Sequence, residues 1–156
     1  MKHNPWEFIR SLATLHISSV NDDGTPHSSY APFIENDKRF YICLSAMAKH
    51  TNNLLRDKIT SIMMLEDESK STNLFARKRV TFDVKLSPIE RDSVVFNGTM
   101  TLFEEKFGNS AGIYKSLPDF QLFELTPVSG RAVFGFGEAF DFKEGEFSNK
   151  PMGMMR

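Results

Sequence analysis

The stretch TLHISSVNDDGTPHSSYAPFIENDKRFYICLS, residues 14–45, contains three β-type runs that are separated by turn residues. The Asp-Gly pair at residues 23–24 is a strong hairpin signal, because glycine tolerates the positive φ that tight turns need. A second polar turn follows at residues 36–38. Pro26 and Pro32 indicate strand edges or bulges, since proline donates no backbone hydrogen bond. The stretch therefore predicts an antiparallel meander of three strands.

Further β-type runs follow, with short helical segments between them. Residues 49–57 predict a two-turn helix that needs tertiary support. Four more runs predict strands, namely ITSIMMLE, ARKRVTFDVKL, QLFELTPV and GRAVFGFGEAFDF. Residues 88–106 and 110–116 are helical by composition. About six mostly antiparallel strands with short helices predict a mainly β fold, a small β-barrel with helical decoration.

The length and composition are typical of one soluble globular domain. The chain has 156 residues, of which 40% are apolar and 25% are charged. A chain of this length buries about two-thirds of the surface that its unfolded form exposes. We therefore expect a single domain over residues 1–156, with residues 143–156 as a loose polar tail.

The charge and the cysteine content narrow the classes of partner. Lys plus Arg is 19 and Asp plus Glu is 20, so the formal net charge of −1 offers no overall attraction to nucleic acid or to an anionic membrane. No segment approaches the ~20 apolar residues that cross a bilayer. The single cysteine, Cys43, fits a reducing compartment. We expect a cytoplasmic protein with neither nucleic acid nor a membrane as its partner.

Lys49 and His50 lie where the helix after the third β-type run should begin. Cations there are unfavourable by roughly 0.3–1 kcal/mol each, because a helix N-terminus already carries partial positive charge. One interpretation is that both are solvated surface residues. The other is a phosphate site, in which the free N–H groups, the Ser45 hydroxyl and the Lys49 ammonium converge on one anion.

The run ARKRVTFDVKL, residues 76–86, alternates regularly. Its apolar members, Val80, Phe82, Val84 and Leu86, should share one face, which leaves Arg77 and Arg79 together on the opposite face. The basic residues are either a charged edge that protects the strand from aggregation or partners for phosphate or ring carbonyl oxygens. The spacing does not choose between these two roles.

Two other patterns bear on cofactor binding and metal binding. GFGEAF, residues 135–140, lacks the third glycine and the following helix of a dinucleotide-binding loop. We expect its surroundings to be core, with Phe134, Phe136, Phe140 and Phe142 on one face. The four histidines, His3, His16, His27 and His50, show no ligand spacing with Cys43 or with acidic pairs, so no metal site is predicted.

The order of these segments resembles a known family. GTPHSSYAPF, RFYICLSAMAKHTNNL and ARKRVTF are similar to the FMN-binding split-barrel superfamily that includes pyridoxamine 5'-phosphate oxidase. LPDFQLFEL and VFGFGEAF resemble its haem-utilisation branch. The likeness covers residues 12–142 and implies an antiparallel split β-barrel of the FMN-binding type.

The resemblance also implies a homodimer with FMN at its interface and a small-molecule substrate. By position it assigns eight residues to the cofactor: Ser29, Tyr30 and Ala31 along the flavin, Ser45, Lys49 and His50 at the phosphate, Arg79 in place of a flavin-contacting glutamine, and Arg77 nearby.

The chain departs from both branches at its end. The tryptophan and arginines of the oxidase's C-terminal segment are absent, since Trp6 is the only tryptophan. Haem-degrading members carry a haem-ligating histidine in a C-terminal extension, whereas no histidine follows His50 here. Our main hypothesis is an FMN-dependent oxidoreductase of unknown substrate. The alternatives are a haem-binding or haem-degrading protein and a binding module with a vestigial site.

Overall fold

The structure is a computed structural model that describes residues 3–57, 59–148 and 151. The strands are β1 (Thr14–Val20), β2 (Pro26–Pro32), β3 (Ile34–Asn36), β4 (Arg39–Ser45), β5 (Ile59–Leu65), β6 (Arg79–Ile89), β7 (Phe120–Val133), β8 (Ala139–Lys143) and β9 (Glu146–Phe147). The helices are α1 (Pro5–Arg10), α2 (Lys49–Asp57), α3 (Val94–Phe107) and α4 (Ile113–Ser116). Short 3-10 turns cover Glu68–Lys70, Leu74–Ala76 and Asn109–Gly112.

The strands form one antiparallel sheet in the order β2-β1-β5-β6-β7-β4-β3, with β8 beside β7 and β9 beside β8. The two ends of this path, β2 and β3, are joined through Phe33 alone. Because one residue cannot span a flat sheet of this width, the sheet has to curl until its ends meet. The prediction of a mainly β, antiparallel barrel with helical decoration is confirmed.

The predicted meander has its two successive antiparallel pairings, but its middle run is broken at Phe33 into two strands, β2 and β3. β1 and β2 form one hairpin and β3 and β4 form another, while the second partner of β4 is β7. The chain changes from one end of the sheet to the other at Pro32 and Phe33. Pro32 donates no backbone hydrogen bond, and Phe33 is fully buried, with its N–H bonded to the carbonyl of Ala13 at 3.1 Å.

Three further boundaries differ from the sequence expectations. Residues 88–89 continue β6 rather than starting a helix, and α3 begins only after Ser93, whose hydroxyl accepts the Phe96 N–H at 3.1 Å. The run predicted as GRAVFGFGEAFDF is broken by a turn at residues 134–138. Phe136 lies in that turn and is 72% exposed, so it does not share the buried face of Phe134.

The segment that was expected to be a loose tail is partly paired. β9 lies against β8, and Phe147 packs against the main core. The loose-tail expectation is therefore corrected for residues 143–148, and the rest of that segment lies outside the described residues apart from residue 151. The turn before β9 uses Gly145, whose φ of 84° favours glycine.

Two apolar clusters hold the fold together. The main one fills the barrel with the inward-facing residues of β6, Val80, Phe82, Val84 and Leu86, as the alternation predicts. Trp6 of α1 closes one end and lies 5.7 Å from Phe82 between ring centroids. The second cluster lies under α3, where Phe96, Met100 and Phe103 cover the outer side of β3 and β4.

None of the helices among the described residues combines the length and the apolar character needed to cross a membrane.

Candidate functional site

The turn between β4 and α2 is built from the backbone and hydroxyl of Ser45. Its hydroxyl accepts the Met47 N–H at 3.2 Å, and its carbonyl accepts the Ala48 N–H at 3.1 Å and the hydroxyl of the buried Thr51. These bonds start α2 at Lys49, whose side chain is exposed. Ser45 therefore shapes the turn, and Lys49 is presented to solvent at the first residue of the helix.

His50 lies against the inward side of β2. Its Nδ1 shares a hydrogen bond of 2.8 Å with the Ser29 hydroxyl. Burial, with a smaller contribution from the neighbouring His27, lowers the pKa of His50 below its ordinary value of 6.5. Burial thus favours the neutral ring, and the positive charge that the described residues present at the first turn of α2 is the Lys49 ammonium. This corrects the expectation of two cations at the helix start.

Polar contacts fix α2 against the hairpin of β1 and β2. The Asn53 side-chain amide donates to the Ser19 hydroxyl at 3.1 Å and to the Asn21 side-chain carbonyl at 3.0 Å. Asn53 is buried, so these bonds hold the helix in one orientation. Asn53 was not predicted from the sequence, because the helical period from Leu54 does not distinguish it from a surface residue.

The residues predicted to line the flavin from β2 do not share a face. Ser29 points inward to His50, Tyr30 points outward and is 65% exposed, and Ala31 is buried in the main core at 2% exposure. This follows from the alternation of side chains along a strand. The Ala31 side chain is therefore not available to a ligand.

Arg79 is the first residue of β6, whereas Arg77 follows the 3-10 turn Leu74–Ala76 and precedes the strand, so the predicted strand face that the two arginines share is corrected for Arg77. The Arg79 guanidinium donates to the carbonyl of Arg77 at 2.8 Å, and Arg77 Nε donates to the carbonyl of Glu66 at 2.6 Å. Both side chains are half-buried. Arg79 shares the outward face of the sheet with Tyr30, because the cross-strand register links Tyr30 through β1 and β5 to Thr81, two residues beyond Arg79.

The predicted residues thus form two groups rather than one. Ser29, Ser45, Lys49 and His50 surround the start of α2, whereas Tyr30 and Arg79 lie on the outward sheet face, with Arg77 beside Arg79. Between Tyr30 and Arg79 lie two residues that the sequence analysis did not single out as site residues, His16 and Met63. The pattern TLHISSV places His16 outward, but the register that sets it beside Tyr30 and Met63 is not readable from sequence.

The four histidines differ in their surroundings. His3 bonds the Glu138 carboxylate and stacks on Phe134 with ring centroids 4.7 Å apart. His16 is exposed, and no hydrogen bond to its ring occurs within the part of the chain that the structure describes. In that same part, no three His, Cys, Asp or Glu side chains group to hold a metal ion.

Comparison with known proteins identifies the family. The family model described as pyridoxamine 5'-phosphate oxidase matches residues 2–134. The haem oxygenase HutZ of Vibrio cholerae is 41% identical over 134 residues, which is 86% of this chain and 76% of HutZ.

Solved structures agree with that match. The crystal structure of HutZ, described as a haem storage protein of Vibrio cholerae, covers 90% of this chain and 95% of its own, with 37% identity and a TM-score of 0.76. Campylobacter jejuni ChuZ is 33% identical with a TM-score of 0.86, and the match covers 94% of this chain but 60% of the ChuZ chain. The chain belongs to the split-barrel pyridoxamine 5'-phosphate oxidase-like family, in its haem-utilisation branch.

Proposed function

We propose that this protein binds haem and acts in haem utilisation, as a haem-binding or haem-degrading protein. The observation that carries the proposal is the 41% identity to the haem oxygenase HutZ across 86% of this chain. It favours the haem-binding alternative over the main hypothesis, an FMN-dependent oxidoreductase, which the family match supports at the level of the fold family.

The donor set on the outward sheet face fits haem. His16, Tyr30 and Met63 are each of a residue type that ligates haem iron, through nitrogen, oxygen and sulfur respectively, and all three lie on adjacent strands of one face. Arg79 on the same face is a guanidinium suited to a propionate carboxylate. Haem supplies the redox and oxygen chemistry when it is bound, while the protein orients it and excludes competing reactions.

FMN is the second candidate ligand, because of the group at the start of α2. Lys49 presents an exposed ammonium beside the first N–H groups of the helix, and such helix ends bind phosphate. The neutral His50 ring adds no charge there. Phosphate binding at this group would therefore rest on Lys49 and on backbone N–H groups.

A homodimer with the cofactor at the interface is part of the proposal. The outward face of β2, β1 and β5 carries exposed apolar side chains, with Tyr30 65%, Ile59 61% and Val20 45% exposed. Apolar patches of this kind mark association surfaces.

We also propose a cytoplasmic location, which the unpaired Cys43 supports.

Separate titrations of the purified protein with haem and with FMN, followed by absorbance, test the function. We expect a saturable Soret shift with haem at a Kd of about 1 μM or lower, equivalent to roughly −8 kcal/mol, and no saturable change with FMN. Saturation with FMN and only linear, non-specific absorbance with haem would reverse the assignment.

The variant Arg79→Gln gives this test a residue-level control. Loss of a charge-assisted hydrogen bond to a propionate should weaken haem binding by about tenfold or more. Lys85→Gln removes an exposed cation from the same strand, six residues away, and should leave the haem affinity unchanged. Equal effects of the two substitutions would show that Arg79 contributes only general positive charge.

A further inference from the structure

We propose that His16 would ligate the haem iron from an open sheet face, with Tyr30 and Met63 on either side of it. The proposal rests on the proposed function and names the residue of this chain through which the haem is attached.

Two of the other histidines, His3 and His50, make side-chain hydrogen bonds, and His27 is half-buried. His3 lines a cleft of about 540 Å³ beside α1, but it bonds Glu138 and is stacked on Phe134. His50 bonds Ser29, and His27 is half-buried on the same inward side of β2, next to His50. A ligand to haem iron needs a free ring nitrogen and open space on one side. Of the four, His16 has the exposed ring and no hydrogen bond among the described residues.

The cross-strand register places three residues of iron-ligating types side by side, one on each of three adjacent strands. We call a line of such cross-strand partners a row. His16 is the cross-strand partner of Tyr30 on β2 and of Met63 on β5, so the three side chains leave the sheet about 5 Å apart from strand to strand. Tyr30 is exposed and Met63 is half-buried. An aromatic ring and a thioether on either side of His16 give a porphyrin apolar contact next to its ligand.

Charge on the same face suits the acidic edge of haem. The next residue in the row after Met63 is Thr81 of β6, and Arg79 lies two positions before it. The row then reaches Arg131, which bonds the Asp141 carboxylate at 2.7 Å. Asp83, the nearest carboxylate of β6 on this face, accepts from Ser129 at 3.3 Å in the neighbouring row. Arg79 is therefore the cation on this face that we expect to bind a haem propionate. It lies on the opposite side of Thr81 from the Asp83 carboxylate.

The test is spectroscopic and does not depend on turnover. Wild-type protein, His16→Ala, His27→Ala and His3→Ala are loaded with haem, and the ferrous forms are compared by resonance Raman for the iron–histidine stretch. We expect this band in wild type and in both control variants, and its loss in His16→Ala together with an affinity at least about tenfold lower. Exogenous imidazole should restore the histidine-type spectrum of His16→Ala.

Each other outcome has a defined meaning. His16 is exposed, so the variant should keep the wild-type Tm, and a matching Tm rules out misfolding as the cause. An unchanged iron–histidine band in His16→Ala overturns the assignment and leaves haem binding intact. A band lost only in His3→Ala, or a phenolate-type spectrum lost in Tyr30→Phe, also overturns it. Absence of haem binding by wild type refutes this inference and the proposed function together.

Discussion

His50 shows how a single side chain can be correctly located and still wrongly described from sequence. Its place at the start of a helix is readable from the apolar run before it. Its protonation state is not, because the pKa depends on burial and on His27 of β2, which is distant in sequence. Similarly, Tyr30 and Ala31 are adjacent in sequence, yet one is on the outward face and the other is in the core.

The lowered pKa of His50 predicts a pH dependence of stability. The unfolded ring takes up a proton as the pH falls through its ordinary value of 6.5, whereas the folded ring resists protonation to lower pH. The unfolded state therefore binds more protons in this window, and the free energy of unfolding falls as the pH is lowered from about 7 through the folded pKa. His50→Asn should flatten this fall in Tm scans between pH 8 and pH 5. Parallel curves for the two proteins would refute the assignment.

Gly130 is a position where any side chain collides with the sheet. A Cβ there would overlap the Thr81 carbonyl oxygen and lie 2.7 Å from a ring carbon of Phe82. Gly130→Ala should therefore lower the free energy of unfolding by about 1–3 kcal/mol, measured by urea denaturation.

The matched control is Gly98→Ala. A Cβ at Gly98 meets nothing within 4 Å, and the residue lies inside α3. Alanine there should stabilise the protein by about 0.5–1 kcal/mol. Similar effects of both substitutions would mean that the close approach at Gly130 is absent.

The strands and helices were predictable where the local pattern is strong. Alternation in β6 correctly identified its buried face. The order of strands was not predictable, because β4 pairs with β7 across about 80 residues of sequence. The corner at Phe33 depends on that distant pairing, so the sequence alone indicated a continuous meander.

Lys106 of α3 stabilises the turn at Phe33, where the chain passes from β2 to β3. Its ammonium donates to the carbonyls of Leu12 at 2.7 Å and Phe33 at 3.1 Å and lies 4.3 Å from the centroid of the Phe33 ring. Burial lowers the pKa of this amine. Lys106→Met should lower the free energy of unfolding by about 1 kcal/mol, because two carbonyls lose a charged donor.

Glu105→Met is the control for this prediction, because Glu105 is the exposed neighbour on the same helix. It should change the free energy of unfolding by less than about 0.5 kcal/mol. Hydrogen exchange of the Phe33 amide, which bonds Ala13, gives a local readout. Unchanged protection of that amide in Lys106→Met would show that Lys106 does not stabilise the turn at Phe33.

The whole molecule is a curled sheet with one side covered and another side open. α1 and α3 close one end and one flank, while the outward face of β2, β1 and β5 is left with exposed apolar side chains. A cofactor and a second copy of the chain would cover this face together. The sequence indicated this arrangement only through the family resemblance, because which strands adjoin is a property of the complete fold.

A charge on this face should separate the proposed dimer. Ile59 is 61% exposed on the outward side of β5, so Ile59→Glu should convert a dimer into a monomer in sedimentation velocity without a large loss of Tm. Val94→Glu is the control, since Val94 is 90% exposed at the start of α3, outside that face. A wild-type protein that sediments as a monomer would refute the dimer directly.

The central claim, that the protein is built to hold haem, is tested most directly by competition. The purified protein is mixed with one equivalent each of haem and FMN per chain, and the bound species are weighed by native mass spectrometry. We predict complexes that carry the haem mass and lack FMN. Complexes that retain FMN and no haem would contradict the account.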